Sequence, residues 1–393
     1  MKRVGIEGSE AVALATKLAD VDVISAYPIT PQTHIVETLS RYVADGELDA
    51  EFIKVESEHT ALSACVGAAA IGSRVFTATA SQGLALMHEI LYIAAGYRLP
   101  IVMAVANRAL SAPLSIWCDH SDSMAERDSG WIQFYVESSQ EAFDTTLQAF
   151  KISEDKRVLL PVMVCLDGFI LSHVIEAVDV LDKEEVAKFL PKFSPKYVLD
   201  PKRPITMGAW TSPEFYLEFK KQQEDALREA KKCIAEVNEQ YGRLFGRKYG
   251  NGFIETVQVE DADIVLVTLG SMTGVARVAV NKLRDNGMKV GLLRIRSFRP
   301  FPAEEIREAV KTAKVIAVAS RDVSLGSFGG AALSEVRSAL YESNKKPHIV
   351  GYVLGLGGRD IKVEDFLTIA KKAYEVLRRD RVEEDFAFIG TKE

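Results

Sequence analysis

The feature that most constrains this chain is a repeated alternation of short Val- and Ile-rich runs with longer helix-like stretches. Residues 21–26, 52–55, 75–78, 101–106 and 162–166 are short, rich in Val and Ile, and carry apolar residues on both faces. Strands of that kind are buried on both faces, as in a parallel sheet covered by helices. Between them lie the helix-like stretches 34–44, 61–71, 84–95 and 141–152. The alternation predicts a doubly wound α/β domain. With 393 residues, there is room for a second domain.

Residues from about 167 to 256 break the pattern. Pro191, Pro195, Pro201, Pro204 and Pro213 mark an irregular connector. Residues 214–245 then read as a long surface helix, with Leu217, Ala226, Ala230, Ile234 and Val237 set among Lys, Glu, Gln and Arg. Lys248-Tyr249-Gly250 is expected to end it. A second α/β unit follows, with strands at 264–268, 290–295, 315–319 and 349–353 and helices at 275–286, 303–312, 331–342 and about 364–378. The polar C-terminal tail is expected to fray. The division is therefore 1–250, including the connector from about 167, and 256–393.

A net charge of −7 argues against a nucleic-acid binder, whose footprint is basic. No run reaches the roughly 18 uncharged apolar residues of a membrane span. Glu7 and Glu10 interrupt any signal-peptide core, so the expected location is cytoplasmic. Cys65, Cys118, Cys165 and Cys233 are scattered, with no C-x-x-C pair. They read as buried apolar residues or free thiols rather than as iron–sulfur or zinc ligands. Any redox centre then sits on another chain.

Ligands of an open α/β sheet bind at the carboxyl edge of its strands. Two loops there carry reactive groups: Tyr27-Pro28-Ile29-Thr30-Pro31 with a hydroxyl, and Glu56-Ser57-Glu58-His59 with two carboxylates. A partly desolvated carboxylate suits proton chemistry. Arg108 follows the 101–106 run, where a guanidinium can fork onto a substrate carboxylate or onto a neighbouring acid. The hydroxyls and glycine of 77–83 line a cleft or cap the next helix. Asp119, His120 and Asp122 are metal-ligating types, yet they are nearly contiguous and have no second cluster. Helix capping by Ser121 or Asp122 explains them more simply. The glycine loops at 269–274 and 326–330 lack G-x-G-x-x-G and read as tight turns, which weakens a Rossmann dehydrogenase reading.

Several segments together resemble the 2-oxoacid:ferredoxin oxidoreductases, and most of all the alpha subunits of the pyruvate:ferredoxin type. They are AYPITPQT (26–33), VESEHTA (55–61), FTATASQGLALMHE (76–89), NRALSAPLSIWCDHSDSMAERDSGWIQF (107–134), QEAFD (140–144), SFRPFP (297–302), SLGSFGG (324–330) and GLGGRD (355–360). The resemblance implies a pyrimidine-type thiamine diphosphate domain followed by a transketolase C-terminal-like α/β domain. It implies that Glu58 is the carboxylate contacting the cofactor's aminopyrimidine, in preference to Glu56. Thr30 and Arg108 match the positions that bind the substrate carboxylate, and Ile29, Leu110 and Trp117 are candidate pocket walls.

The resemblance also implies CoA-dependent oxidative decarboxylation of pyruvate, reversibly, with ferredoxin as electron acceptor. The superfamily's Gly-Asp-Gly magnesium motif is missing; only Asp45-Gly46 and Asp167-Gly168 occur. Mg2+ and the diphosphate are therefore expected on a beta subunit. The [4Fe-4S] clusters are expected on other partners, among beta, gamma and delta. The alternatives are another substrate (2-oxoisovalerate or 2-oxoglutarate) or a transketolase-like transferase subunit with no electron transfer.

Overall fold

The computed structural model describes residues 2–343 and 345–392. Its first sheet has seven strands. In spatial order they are Ser297–Arg299, Ile132–Tyr135, Val162–Asp167, Ile101–Asn107, Val75–Thr79, Val23–Ala26 and Glu51–Lys54. All neighbours run parallel except the first pair. Every residue of Val75–Thr79, Ile101–Asn107 and Val162–Asp167 is buried, as runs apolar on both faces require. The expected parallel α/β architecture is present.

The second sheet has six strands, in the order Phe386–Phe388, His348–Val353, Val315–Ser320, Ile264–Thr268, Val290–Ile295 and Ile254–Val257. Only the last pairing is antiparallel. The tail does not fray as expected, because Phe386–Phe388 adds to the sheet edge beside Gly351–Val353. The connector is also more ordered than its prolines suggest. Ile175–Val180 pairs antiparallel with Lys2–Glu7, and Lys183–Phe189 is helical behind an Asp182 capping box. The long helix spans Pro213–Phe245, as expected, but it is stopped by Gly246 rather than by Lys248-Tyr249-Gly250; the φ of +72° at Gly246 is one that only glycine adopts without penalty.

One helix joins all these parts. Ser139–Ser153 packs against the strands Ile101–Asn107 and Val162–Asp167, the helices Gly8–Leu18 and Pro213–Phe245, and the strand Ile175–Val180. It is almost wholly buried yet polar, with Glu141, Asp144, Thr145 and Gln148 inside. Buried charge is tolerated only when paired and hydrogen-bonded. Asp144 accepts from the hydroxyls of Tyr241 and Tyr249 at 2.6 Å each and from Arg247 Nε at 2.7 Å. Glu141 accepts from Arg296 Nε at 2.8 Å, from Arg294 Nη2, and from the Glu137 N–H. Arg296 further donates to Thr145 Oγ1 and Gln148 Oε1. These arginines flank the turn into Ser297–Arg299, the segment of the second unit that pairs with the first sheet.

Replacing Glu141 with Gln turns an amide donor toward one of two buried guanidinium groups. The expected cost is about 3–5 kcal/mol. It should appear as a lower urea midpoint for the assembled protein, and an unchanged midpoint would remove Glu141 from this role.

Candidate functional site

The loops after Val23–Ala26, Glu51–Lys54, Val75–Thr79, Ile101–Asn107 and Val162–Asp167 all emerge on one sheet edge, because these strands are parallel. Glu58 opens the helix Glu58–Ala70, whose N-cap Ser57 accepts the Thr60 N–H. The Glu58 side chain is buried, and no described residue donates a hydrogen bond to its carboxylate. It lies against Gly83: a Cβ there would stand 2.6 Å from Glu58 Oε1 and 2.5 Å from Thr79 Oγ1. Thr79 Oγ1 is itself buried without a partner. Glu56 differs sharply. It is exposed, accepts the Thr60 hydroxyl at 2.6 Å, and has its carboxyl pKa lowered by that bond. The two carboxylates that local sequence left equivalent are thus one surface group and one buried group free to accept.

Arg108 and Thr30 come together across the end of Val75–Thr79, which lies between their two strands. Arg108 Nη1 donates to the Thr30 carbonyl at 3.0 Å and Nε donates to the Ser115 carbonyl at 3.0 Å. Its Nη2 has no bond to a described residue, and the side chain is mostly buried. Burial lowers its pKa from the ordinary guanidinium value, opposed by nearby Asp122. Thr30 is exposed with a free hydroxyl. The Tyr27–Gln32 loop is pinned by buried Gln32, which donates to the carbonyls of Ala78 at 2.6 Å and Tyr27 at 3.3 Å and accepts the Ile29 N–H. Sequence reasoning assigned Gln32 no role; a polar residue amid an apolar strand–helix junction was the available signal. Of the candidate walls, Trp117 stacks on Phe169, ring centroids 4.6 Å apart, while Ile29 and Leu110 are half-buried.

The segment 118–122 does none of the work first considered for it. His120 Nε2 donates to Asp167 Oδ1 at 2.7 Å. Cys118, His120 and Asp167 are spaced for a metal, but Arg321 Nη1 already donates to both Asp167 Oδ2, at 2.8 Å, and Cys118 Sγ, at 3.5 Å. Burial alone would raise the Asp167 carboxyl pKa, yet Arg321, His120 and Ser271 outweigh it and hold it well below the usual range. That contribution to stability is present above the ordinary carboxylate pKa and is lost as pH falls through the folded value. Arg321 and Ser271 belong to the second α/β unit, so this cluster joins the two sheets. Gly270, with φ +62°, lets the 269–274 turn come this close, since a Cβ there would stand 2.9 Å from Asp167 Oδ1. Neither Ser121 nor Asp122 is the N-cap of the Ser121–Ala125 helix; His120 holds that position, without a side-chain cap bond. All four cysteines are buried and unpaired, as expected.

The family described as "Pyruvate flavodoxin/ferredoxin oxidoreductase, thiamine diP-bdg" matches residues 14–239, and "Pyruvate:ferredoxin oxidoreductase core domain II" matches 262–366. This chain belongs to the pyruvate:ferredoxin oxidoreductase family. It is 56% identical to the pyruvate synthase subunit PorA of Methanocaldococcus jannaschii, over 99% of this chain and 98% of that one. The PorA subunit of Methanothermobacter thermautotrophicus is 52% identical over 99% and 98%. A ketoisovalerate oxidoreductase subunit, VorA of Pyrococcus horikoshii, is 45% identical over 98% of each. Among solved structures, the 2-oxoglutarate:ferredoxin oxidoreductase of Magnetococcus marinus superposes with a TM-score of 0.70 at 20% identity, over 94% of this chain and 65% of that one. A split-gene transketolase gives 0.54 at 15%, over 95% and 99%. These last two show a shared fold. Among the described residues, no helix is long and apolar enough to cross a membrane.

Gly83→Ala would press a methyl group onto the Glu58 carboxylate. We expect ~10²-fold lower turnover with assembly retained, since displacements near 1 Å cost about that much. A steady-state assay of the assembled enzyme checks this, and wild-type turnover would mean that Glu58 need not sit against Gly83.

Proposed function

We propose that this chain is the alpha subunit of a pyruvate:ferredoxin oxidoreductase and supplies the pyrimidine-facing half of a thiamine diphosphate site. The observation that carries the reading is Glu58, a buried carboxylate with no donor among the described residues, backed by a glycine that leaves its acceptor face open. The Glu58 carboxylate oxygens accept nothing from the described residues and are not sealed from solvent, so a ligand donor can reach them. The donor set also fits: one acceptor for a ring nitrogen, with a hydroxyl and a guanidinium nearby for a carboxylate.

When bound, thiamine diphosphate would supply a nucleophilic carbon for the 2-oxoacid carbonyl and a cationic ring able to take up the electron pair left by decarboxylation. The Glu58 carboxylate holds the proton at the aminopyrimidine ring nitrogen. Arg108 Nη2 and the Thr30 hydroxyl bind the substrate carboxylate, and the bonds of Arg108 to the Thr30 and Ser115 carbonyls fix where it points. Anchoring of this kind turns a bimolecular encounter into an oriented one. The products are carbon dioxide, acetyl-CoA and two reducing equivalents passed singly to ferredoxin, and the reverse reaction uses the same site. On this reading residues 1–250 form the cofactor domain with its connector and 256–393 the transketolase C-terminal-like domain. Mg2+ and the diphosphate lie on the beta subunit, the [4Fe-4S] clusters on partner subunits of the beta, gamma and delta set, and the complex is cytoplasmic. The lack of Gly-Asp-Gly and the singly buried cysteines support that division. The VorA relative favours 2-oxoisovalerate as the second reading.

Glu58→Gln should lower turnover by ~10²–10⁴-fold without loss of assembly; wild-type activity would overturn its assignment. The isolated chain should give no tight thiamine diphosphate binding by calorimetry, whereas the complete complex should bind it. A viologen-reduction assay with coenzyme A should give the highest kcat/KM for pyruvate among pyruvate, 2-oxoisovalerate and 2-oxoglutarate.

A further inference from the structure

Asp122 is 1% exposed and its carboxylate accepts four hydrogen bonds. Oδ2 takes the Ser81 N–H at 2.9 Å and the Arg108 N–H at 3.0 Å. Oδ1 takes Asn107 Nδ2 at 2.8 Å and the Ser123 N–H at 2.7 Å. Ser81 and Arg108 lie just past the carboxyl ends of two adjacent strands, Val75–Thr79 and Ile101–Asn107. Neither N–H has a strand partner there, so a single oxygen closes both. Ser81 also has a φ of +50°, in the left-handed region, and its hydroxyl donates to the Ala109 carbonyl at 2.6 Å. A non-glycine residue stays in that region only where its surroundings hold it. Two residues after Ser81 comes Gly83, the backing of Glu58. On the other strand, the residue bound by Asp122 is Arg108 itself.

We propose that Asp122 is a positioning residue: it sets the spacing between the substrate-carboxylate arginine, Arg108, and the Gly83 surface that backs Glu58. This rests on the reading of Arg108 as the carboxylate anchor. The chemistry requires four acceptor contacts from one buried side chain, and only an ionised carboxylate supplies them. Asparagine has the same shape but replaces one oxygen by a donor. Turned either way, it sets an NH2 group against two groups that are themselves donors.

The test uses the assembled enzyme, with viologen reduction by pyruvate and coenzyme A, for D122N, R108K and the double variant. Lysine cannot reproduce the guanidinium fork. We expect kcat/KM for pyruvate to fall ~10²-fold in D122N, with KM for coenzyme A and bound thiamine diphosphate content unchanged. Because Asp122 acts through Arg108, the double variant should be no worse than R108K alone. If R108K keeps wild-type pyruvate kinetics, the anchor reading fails and this proposal with it. If R108K is impaired while D122N is not, or if the two losses multiply, the positioning role alone fails. A loss of D122N activity matched by equal losses for coenzyme A and cofactor content would also overturn it as general misfolding. Hydrogen exchange on the wild-type complex provides a measurement that needs no variant. The Ser81 and Arg108 amides should exchange at least ~10²-fold slower than unstructured amides, and exchange at the unstructured rate would refute the bonds on which the proposal stands.

Discussion

The structure depends on two acids buried in one helix. Glu141 and Asp144 sit three residues apart in Ser139–Ser153, so they lie on one face, and neither reaches water. Each must be neutralised from outside the helix. Asp144 is neutralised by Arg247 and two tyrosine hydroxyls that follow the connector, while Glu141 is neutralised by Arg294 and Arg296 of the second sheet. Apolar contact alone would let the two α/β units slide against each other, because it is non-directional. Charge-assisted bonds are directional, and Arg294 and Arg296 each bind one oxygen of Glu141, so they select one docking arrangement.

That docking reaches the site by a short covalent path. One residue beyond Arg296, the chain joins the first sheet as Ser297–Arg299, beside Ile132–Tyr135. At the carboxyl end of the neighbouring strand Val162–Asp167, Asp167 takes Arg321 and Ser271 from the second unit and His120 from the 109–123 loop. The same loop carries the Ser115 carbonyl that orients Arg108 and the Asp122 carboxylate that fixes its backbone. Gly357 and Gly358 of the second unit bond to Asp119 Oδ2 and to the Cys118 carbonyl on its outer side. The second unit carries none of the residues assigned to chemistry, but it braces the loop that holds one of them.

Legibility in the sequence followed the range of the interactions. The buried parallel strands were readable because burial on both faces writes itself into short runs rich in Val and Ile. Ser297–Arg299 was not, because three residues with a serine and an arginine carry no strand signal and their pairing partner lies more than 160 positions away. Lys2–Glu7, Lys-Arg-Val-Gly-Ile-Glu, likewise carries little strand signal and pairs across a similar distance. The strand-end site was legible as a place, and Glu58, Thr30 and Arg108 were named through resemblance. What separates Glu58 from Glu56 is tertiary: Gly83 and Thr79 arrive from another strand. Asp122 was readable only as a polar residue near a helix start, because its four donors come from three separate segments.

The contrast between Asp122 and Glu58 bears on how the site is completed. Both are buried carboxylates at the same sheet edge. Asp122 is surrounded by four donors and is fully satisfied within the chain. Glu58 has none among the described residues. A fold able to supply four donors to one acid does not lack the means to supply one to its neighbour. Gly83 instead removes a side chain from the surface beside Glu58, and the Thr79 hydroxyl against the same glycine is buried without a partner. The Glu58 carboxylate oxygens, by contrast, are not sealed from solvent, so a donor arriving from outside the chain can reach them. The saturated acid therefore belongs to the framework, whereas Glu58 is left free to accept, and it is this contrast on which the proposed cofactor contact rests.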